Sequence, residues 1–210
     1  MSVVFAQPSR AYFAFLWAAA LACHVCGTRD AMHYSIMLVA CPTLWTFQEY
    51  WIHRALMHGA IVAIQKSHMG HHKHPTNLDR VFIPCVFTVV NALVNALAYY
   101  AVFGASAALA SVTGNVICYT AFEWAHVICH NGHSSRFTRD VRTHHLAHHF
   151  VAQRLCNLGF TSATWDLVFG TYYSKDPIGG KALVLLCPWP LLPFMVTSLY
   201  ASMKGGKPSD

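Results

Sequence analysis

Five long apolar runs constrain the fold of this chain more than any other feature. They cover residues 11–26, 31–52, 81–103, 106–122 and 182–202. A helix needs about 20 consecutive apolar residues to cross a bilayer, and the second and third runs are long enough. The composition agrees, because 55% of the residues are hydrophobic and only 10% are charged. The sequence therefore predicts an all-α integral membrane domain.

The first and last runs are weaker candidates for spanning helices. The first is short and carries His24, while the last contains Pro188, Pro190 and Pro193. Either run can be tilted, broken or interfacial instead of spanning. No clean cleavage pattern follows the first run, so we expect it to remain as an uncleaved helix. We expect about four transmembrane helices and a cytoplasmic helical cap, in a single domain of residues 1–210.

The basic residues predict the orientation of the domain. They follow the second apolar run (Arg54, Lys66, Lys73, Arg80) and the fourth (Arg136, Arg139, Arg142, Arg154, Lys175, Lys181). The turn after the first run has only Arg29, which Asp30 balances. By the positive-inside rule, both basic stretches face the cytoplasm. They also account for the net charge of +6 without nucleic acid, for which the sequence has no interleaved aromatic and basic motif.

Ten of the 15 histidines fall into four short boxes. The boxes contain His53 and His58, then His68, His71 and His72, then His126 and His130, and finally His145, His148 and His149. Each box lies at the cytoplasmic end of an apolar run or in the basic stretch beyond it. We therefore expect all four boxes to share one side of the membrane.

The spacing of the boxes is typical of metal ligands. Residues three and four apart share a helix face, so each H-x-x-H-H triplet can aim three imidazoles at one point. The pair His126 and His130 can do the same. His53 and His58 lie five apart on different faces of an α-helix, so either that helix is distorted or the pair reaches two ions.

The number of histidines predicts two metal ions close together. A tetrahedral ion takes four ligands and an octahedral ion about six, so ten imidazoles exceed the needs of one ion. Imidazole suits iron, zinc, copper and nickel, and the ligand type does not choose among them. The histidines outside the spacing are expected to pack or to support the ligands: His24, His33, His74, His133 and His144.

Few carboxylates lie near the boxes. Glu49, Glu123, Asp79 and Asp166 are candidates to orient the far ring nitrogen of a ligand. Glu123 precedes His126 by three residues and Glu49 precedes His53 by four, which places each on the matching helix face. Asp166 stands before a turn at Gly170, where it can also form a clasp that holds the last histidine box against the membrane.

The boxes HX4H, HX2HH, HX3H and HX2HH, in this order, resemble the fatty acid hydroxylase superfamily of membrane di-iron enzymes, which includes sterol desaturases. Four segments are similar to fatty acid 2-hydroxylases in particular: EYWIHRALMH (49–58), HMGHHKHP with LDRVFIP (68–84), HHLAHHF (144–150) and GFTSATWDLVFGT (159–171). The similarity runs from about residue 45 to 172. Two departures from the family are Asn131, where a second histidine usually follows the third box, and the absence of a fused cytochrome b5 domain.

The resemblance implies a non-haem di-iron monooxygenase that inserts oxygen from O2 into a C–H bond of a fatty acyl group. It points to 2-hydroxylation of a fatty acid or of a ceramide or other sphingolipid, with the ten box histidines as ligands of two iron ions. Zinc would fit the same ligands. Electrons from NAD(P)H would arrive through a separate cytochrome b5 or ferredoxin-type protein. The substrate would be a lipid taken from the membrane, which is that of the endoplasmic reticulum if the protein is eukaryotic.

Two other classes of function remain open from the sequence. Similar boxes serve sterol or sphingolipid C4 oxidases, desaturases and carotenoid hydroxylases, which differ in substrate. A membrane metal-binding or transport protein could use the same ligands, but it would need polar residues inside its spans. Apart from Asn91, Asn95 and Asn115, the third and fourth runs offer few.

Overall fold

The computed structural model describes residues 8–27, 30–131, 138–151 and 155–174, and every regular element within them is helical. The helices are α1 (Arg10–Gly27), α2 (Ala31–Trp51), a π-helix (Ile52–Ala60), α3 (Val62–Lys73), a 3-10 turn (Leu78–Arg80), α4 (Cys85–Phe103), α5 (Ala105–His130), α6 (Thr138–Phe150) and α7 (Thr164–Val168). The predicted run 182–202 and His133 lie outside the described residues.

The membrane part of the fold is built around α5. Within the described residues, three stretches are long and apolar enough to cross a bilayer, namely Arg10–Gly27, Leu78–Phe103 and Ala105–His130, whereas α2, predicted to span, is not among them. Helix α2 is 21 residues long and, like α1 and α4, packs against α5. The α5 residues that face these neighbours are buried along the whole helix. The predicted all-α membrane fold is therefore confirmed.

Helix α5 is longer than the apolar run that predicted it. The run covers 106–122, whereas the helix continues without a break to His130. Its last turns remain apolar on the buried side, where Phe122, Ala125 and Cys129 pack against Phe160. The third histidine box therefore lies at the end of a membrane helix and not in the cap.

Helices α2 and α5 approach each other closely at Gly114. A Cβ atom added there would lie 2.5 Å from Cys41 Cβ and 2.8 Å from its Sγ. Real side chains do not tolerate such distances, so only glycine allows this crossing. Small residues are the usual means by which helices pack in membranes, where hydrocarbon gives no hydrophobic drive for association.

An amide cluster joins the same helices further along. Gln48 of α2 and Asn95 of α4 exchange two hydrogen bonds, and the Asn95 amide also donates to Asn115 of α5 at 3.2 Å. Asn91 donates to the same Asn115 oxygen at 3.4 Å. A metal transport protein would need these asparagines to line its path through the membrane. Here they hydrogen-bond across helices instead, as polar side chains in membrane bundles do.

The π-helix, α3 and α6 form the cap over one end of this bundle. Helix α3 packs on the π-helix and α6 packs on the end of α5. A segment without regular structure, residues 155–163, follows α6 and is mostly buried between the cap and α2. We call this segment the clasp loop. It carries no box histidine, but it hydrogen-bonds His53 and His148 and packs Phe160 on two others.

Candidate metal centre

The structure brings all ten box histidines together in two clusters of five. The first cluster contains His53, His58, His68, His72 and His148. The second contains His71, His126, His130, His145 and His149. Within each cluster, one ring nitrogen from every histidine lies within 4.8 Å of the others. The α-helical cap and the end of α5 thus supply ligand atoms to two points.

The π-helix explains how His53 and His58 share a cluster. Its hydrogen bonds join residues five apart, and such wider turns occur most often at functional sites. His53 and His58 are five apart, so the π-helix places them on one face. Their Nε2 atoms lie 3.0 and 3.1 Å from Nε2 of His68. Of the two alternatives that the sequence left open, the distorted helix is the one observed.

Each H-x-x-H-H triplet is divided between the clusters. In α3, His68 and His72 belong to the first cluster and His71 to the second; in α6, His145 and His149 belong to the second and His148 to the first. The expectation that each triplet aims at one point is wrong. Adjacent helical residues diverge by about 100°, so the neighbours His71 and His72, and likewise His148 and His149, point to different clusters.

The nitrogen-to-nitrogen distances fit metal ions. Neighbouring Nε2 atoms in the two clusters are 2.8–3.2 Å apart. Imidazole binds such ions at about 2.1 Å, so two ligands at a right angle are separated by about 3.0 Å. The clusters are also adjacent, since the rings of His72 and His149 stack at 4.2 Å.

The far nitrogens of two ligands identify their tautomers. His53 Nδ1 lies 2.7 Å from the Leu158 carbonyl oxygen, and His148 Nδ1 lies 2.8 Å from that of Cys156. A carbonyl oxygen only accepts, so Nδ1 must carry the proton and Nε2 presents a lone pair to the cluster. Lone pairs directed at one another at about 3 Å repel unless a cation lies between them.

Burial keeps the imidazoles of the cap neutral. It is the main reason that the pKa of His71 falls to about 3, that of His72 to about 4 and that of His148 to about 3. Neighbouring imidazoles lower these pKa values further. Burial also holds the pKa values of His53 and His145 well below the ordinary value. Neutral imidazole is the form that binds metal, so these ligands need no deprotonation at neutral pH.

The four candidate carboxylates do not contact the ligands. In the described part of the protein, neither Glu49, Glu123, Asp79 nor Asp166 hydrogen-bonds any of the ten histidines. Glu49 accepts from Phe160 N, from Thr161 N at 2.7 Å and from Thr161 Oγ1 at 2.6 Å. Asp166 accepts from the backbone of the clasp loop, and Glu123 accepts from Ile83 N at 2.8 Å. Glu49 and Asp166 instead accept from N–H groups of the clasp loop.

The partners of the far ring nitrogens of His53 and His148 are backbone carbonyl groups of the clasp loop, which the sequence did not reveal. Leu158 and Cys156 orient ligands through main-chain oxygen atoms, for which the residue type gives no signal. His144, placed outside the boxes by its spacing, is buried, and its Nε2 bonds the Gly159 oxygen at 2.8 Å. It therefore supports the same loop. His24 bonds Tyr34 at 3.1 Å, far from the clusters.

A cavity of about 540 Å³ leads to both clusters. Most of its wall is apolar, and five ligands line it: His53, His68, His71, His126 and His145. Val86, Val90 and Val94 of α4 also line it, and these side chains are about half exposed on the outer surface of the bundle. The cavity therefore extends from the histidines to an exposed, apolar part of α4.

Comparison with known proteins agrees with this geometry. A family model described as fatty acid hydroxylase matches residues 38–171. The chain is 32% identical over 135 residues to a dihydroceramide fatty acyl 2-hydroxylase of Arabidopsis thaliana, covering 61% of this chain and 56% of the relative. It is 26% identical over 144 residues to the fatty acid 2-hydroxylase of Homo sapiens, covering 64% and 38%.

A solved structure shares the fold. The full-length Scs7p structure, in which only the hydroxylase domain is visible, superimposes with a TM-score of 0.69 at 22% identity, covering 82% of this chain and 70% of that one. The sequence matches cover about half or less of the curated relatives' lengths.

Proposed function

The chain belongs to the fatty acid hydroxylase family, and on that premise we propose that it is a membrane lipid hydroxylase. Its reaction would be O2-dependent insertion of oxygen into a C–H bond of a fatty acyl group. Carbon 2 of a fatty acid or of a ceramide is the position we propose, because the relatives are named for 2-hydroxylation. The ten clustered histidines would hold the metal ions.

The observation that carries this proposal is the apolar cavity that ends on ligands of both clusters. An acyl chain offers no polar group along most of its length, so only an apolar passage can guide it to a metal site. Val86, Val90 and Val94, which line the cavity, belong to a stretch apolar enough to cross a bilayer, where such chains would reside. A protein that only bound or moved metal would have no use for an apolar volume of about 540 Å³ beside its ligands.

The donor set fits two iron ions, with zinc able to occupy the same ligands. When bound, iron would activate O2 and accept electrons, which is chemistry that no side chain supplies. The protein's own residues do the rest. Phe160 packs on the rings of His126 and His145 at 5.1 and 4.5 Å, where it lines the cavity and excludes water. His53 and His148 are held by backbone carbonyls.

We propose that the clusters face the cytoplasm, because the basic residues flank this end of the bundle. In a eukaryotic cell the membrane would be that of the endoplasmic reticulum. Electrons would come from NAD(P)H through a separate cytochrome b5 or ferredoxin-type protein, which would reach the metals from the cap side.

The first test compares lipid extracts by mass spectrometry from cells that express the wild type or His148→Ala. We expect lipids that gain one oxygen atom with the wild type and not with the variant, because the first cluster loses a ligand. His74→Ala is the matched control, since His74 is exposed and belongs to neither cluster. It should retain the wild-type product.

Other outcomes would change the assignment. Lipids that lose two hydrogens would move the reaction to desaturation, and an oxidised sterol or carotenoid would change the substrate class. Full turnover by His148→Ala would contradict the ligand assignment. No difference between any of the lipid extracts, with iron bound and a donor present, would favour a metal-binding protein.

A further inference from the structure

The clasp loop connects carboxylates to histidines through single peptide groups. The peptide group between Leu158 and Gly159 makes two hydrogen bonds at once. Its oxygen accepts from His53 Nδ1 at 2.7 Å, and its N–H donates to Asp166 Oδ2 at 2.7 Å. A ligand of the first cluster and a buried carboxylate therefore share one planar, conjugated group.

The second oxygen of the Asp166 carboxylate also accepts hydrogen bonds, one of them from the clasp loop. Asp166 is fully buried, and its other oxygen accepts from Leu158 N and from Thr171 Oγ1, both at 2.7 Å. Gly159 is required for this approach. A Cβ atom on it would lie 3.0 Å from Asp166 Oδ2 and 2.2 Å from the Ser162 oxygen.

The next peptide group repeats the arrangement on a different histidine. The oxygen of Gly159 bonds His144 Nε2 at 2.8 Å, while Phe160 N donates to Glu49. His144 belongs to neither cluster. The loop thus holds two carboxylate–peptide–histidine links, of which only the link through Leu158 and Gly159 ends on a cluster histidine. The two links are neighbours, since Asp166 Oδ2 also lies 3.7 Å from His144 Nε2.

We propose that Asp166 is a positioning residue that acts on His53 through the peptide group between Leu158 and Gly159. A carboxylate on the N–H polarises the peptide group and makes its oxygen a stronger acceptor, because hydrogen bonds in series reinforce one another. A stronger acceptor at Nδ1 fixes the ring and makes Nε2 a better metal ligand. Metal-bound histidines commonly contact a carboxylate directly for this purpose; here one peptide group stands between them.

The inference rests on the metal sites of the proposed function, and its test measures metal binding without lipid oxidation. Metal-free protein in detergent is titrated with Zn²⁺ against a chromophoric chelator. His58→Ala and His130→Ala identify which binding step belongs to which cluster. For Asp166→Asn we expect the affinity of the first cluster to fall 10–100-fold, the usual effect of losing a partner behind a ligand. The second cluster should keep its affinity.

Three further variants separate this role from general loosening of the loop. Glu49→Gln disturbs the same loop through the link to His144, so it should lower thermal stability without a selective loss at the first cluster. In a His53→Ala background, Asp166→Asn should have no further effect on affinity, because its target is gone. Asp166→Glu keeps the charge and should lose less affinity than Asp166→Asn; it also serves if the latter does not fold.

The proposal is overturned if Asp166→Asn weakens both clusters equally, if it weakens neither, or if it remains equally effective without His53. A wild type that binds no Zn²⁺ at either cluster would overturn the ligand assignment of the proposed function as well. A wild type that binds two ions but oxidises no lipid would contradict the proposed reaction alone.

Discussion

Glu49 is the residue whose loss we expect to reduce activity without abolishing it. Its two oxygens accept from Phe160 N, Thr161 N and Thr161 Oγ1, and from Trp45 Nε1 at 3.1 Å. In Glu49→Gln, the new NH2 group would face hydrogen-bond donors and leave them unsatisfied. Each unsatisfied buried group lowers the stability of the folded protein by about 1–3 kcal/mol. Phe160 would shift against His126 and His145. We expect turnover to fall about tenfold, measured with the purified enzyme and its donor.

Thr161→Ser is the control for this prediction. Serine keeps the hydroxyl donor, so the carboxylate stays satisfied and turnover should remain near that of the wild type. Equal activity of Glu49→Gln and the wild type would show that the loop holds Phe160 without the carboxylate.

At the residue scale, the sequence predicted which histidines meet but not what stands behind them. Spacing selected all ten members of the clusters, because imidazoles on helices can be placed by counting. The partners of His53 and His148 are main-chain oxygen atoms. The partner of His53 lies more than one hundred residues away in the sequence. No side chain marks such an atom. A role for the carboxylates behind the ligands stays a prediction, and Asp166 connects to His53 only through a peptide group.

The crossing of α2 and α5 at Gly114 gives a prediction at the scale of elements. Gly114→Ala would place Cβ 2.5 Å from Cys41 Cβ, and the helices would have to separate. We expect a loss of about 1–3 kcal/mol in stability, the usual cost of overpacking, measured as a lower midpoint of unfolding in detergent.

A double-mutant cycle checks the cause. Cys41→Gly removes the atoms that the new methyl group meets, so the double variant should recover part of the loss. Simple additivity of the two changes would show that Gly114 matters for another reason, such as the flexibility of α5.

The helices themselves were largely predictable, and their irregularities were not. Apolar runs anticipated α1, α2 and α4 to within a few residues, since length and hydropathy decide membrane helices. The run 81–103 begins four residues too early because Pro84 precedes the first turn of α4. The π-helix was visible only as a spacing that an α-helix could not satisfy, which left two alternatives open.

At the scale of the whole molecule, the buried imidazoles couple stability to pH. The pKa values of His71 and His72 are lowered from 6.5 to about 3 and about 4. Below pH 6.5 the unfolded protein takes up protons that the folded protein does not, so stability falls with pH until the folded pKa values are reached. We expect the metal-free protein to unfold at lower temperature at pH 5 than at pH 7.

Bound Zn²⁺ is the comparison for this prediction. The ion should raise stability by a similar amount at both pH values, because the pKa values of His71 and His72 in the folded protein lie below 5 and leave both imidazoles neutral. The His72→Leu variant should lose less stability between pH 7 and pH 5 than the wild type. A pH-independent midpoint for the metal-free wild type would contradict the depressed pKa values.

The overall architecture followed from two patterns that the sequence shows directly, apolar length and histidine spacing. That residues 1–210 form one domain stays a prediction, because residues 175–210 lie outside the described part. The connection between the clusters and the membrane could not be predicted, since a cavity is the space left by many side chains on α2, α4 and α5. Its position depends on tertiary packing that no single pattern encodes.

The division of each H-x-x-H-H triplet between the clusters also restricts how such a protein can change over generations. His71 and His72 are neighbours that serve different clusters, and so are His148 and His149. A one-residue insertion within either triplet would rotate everything that follows by about 100° and disturb both clusters. Changes in chain length within either triplet therefore affect both clusters at once, whereas a substitution such as His58→Ala or His130→Ala affects only one.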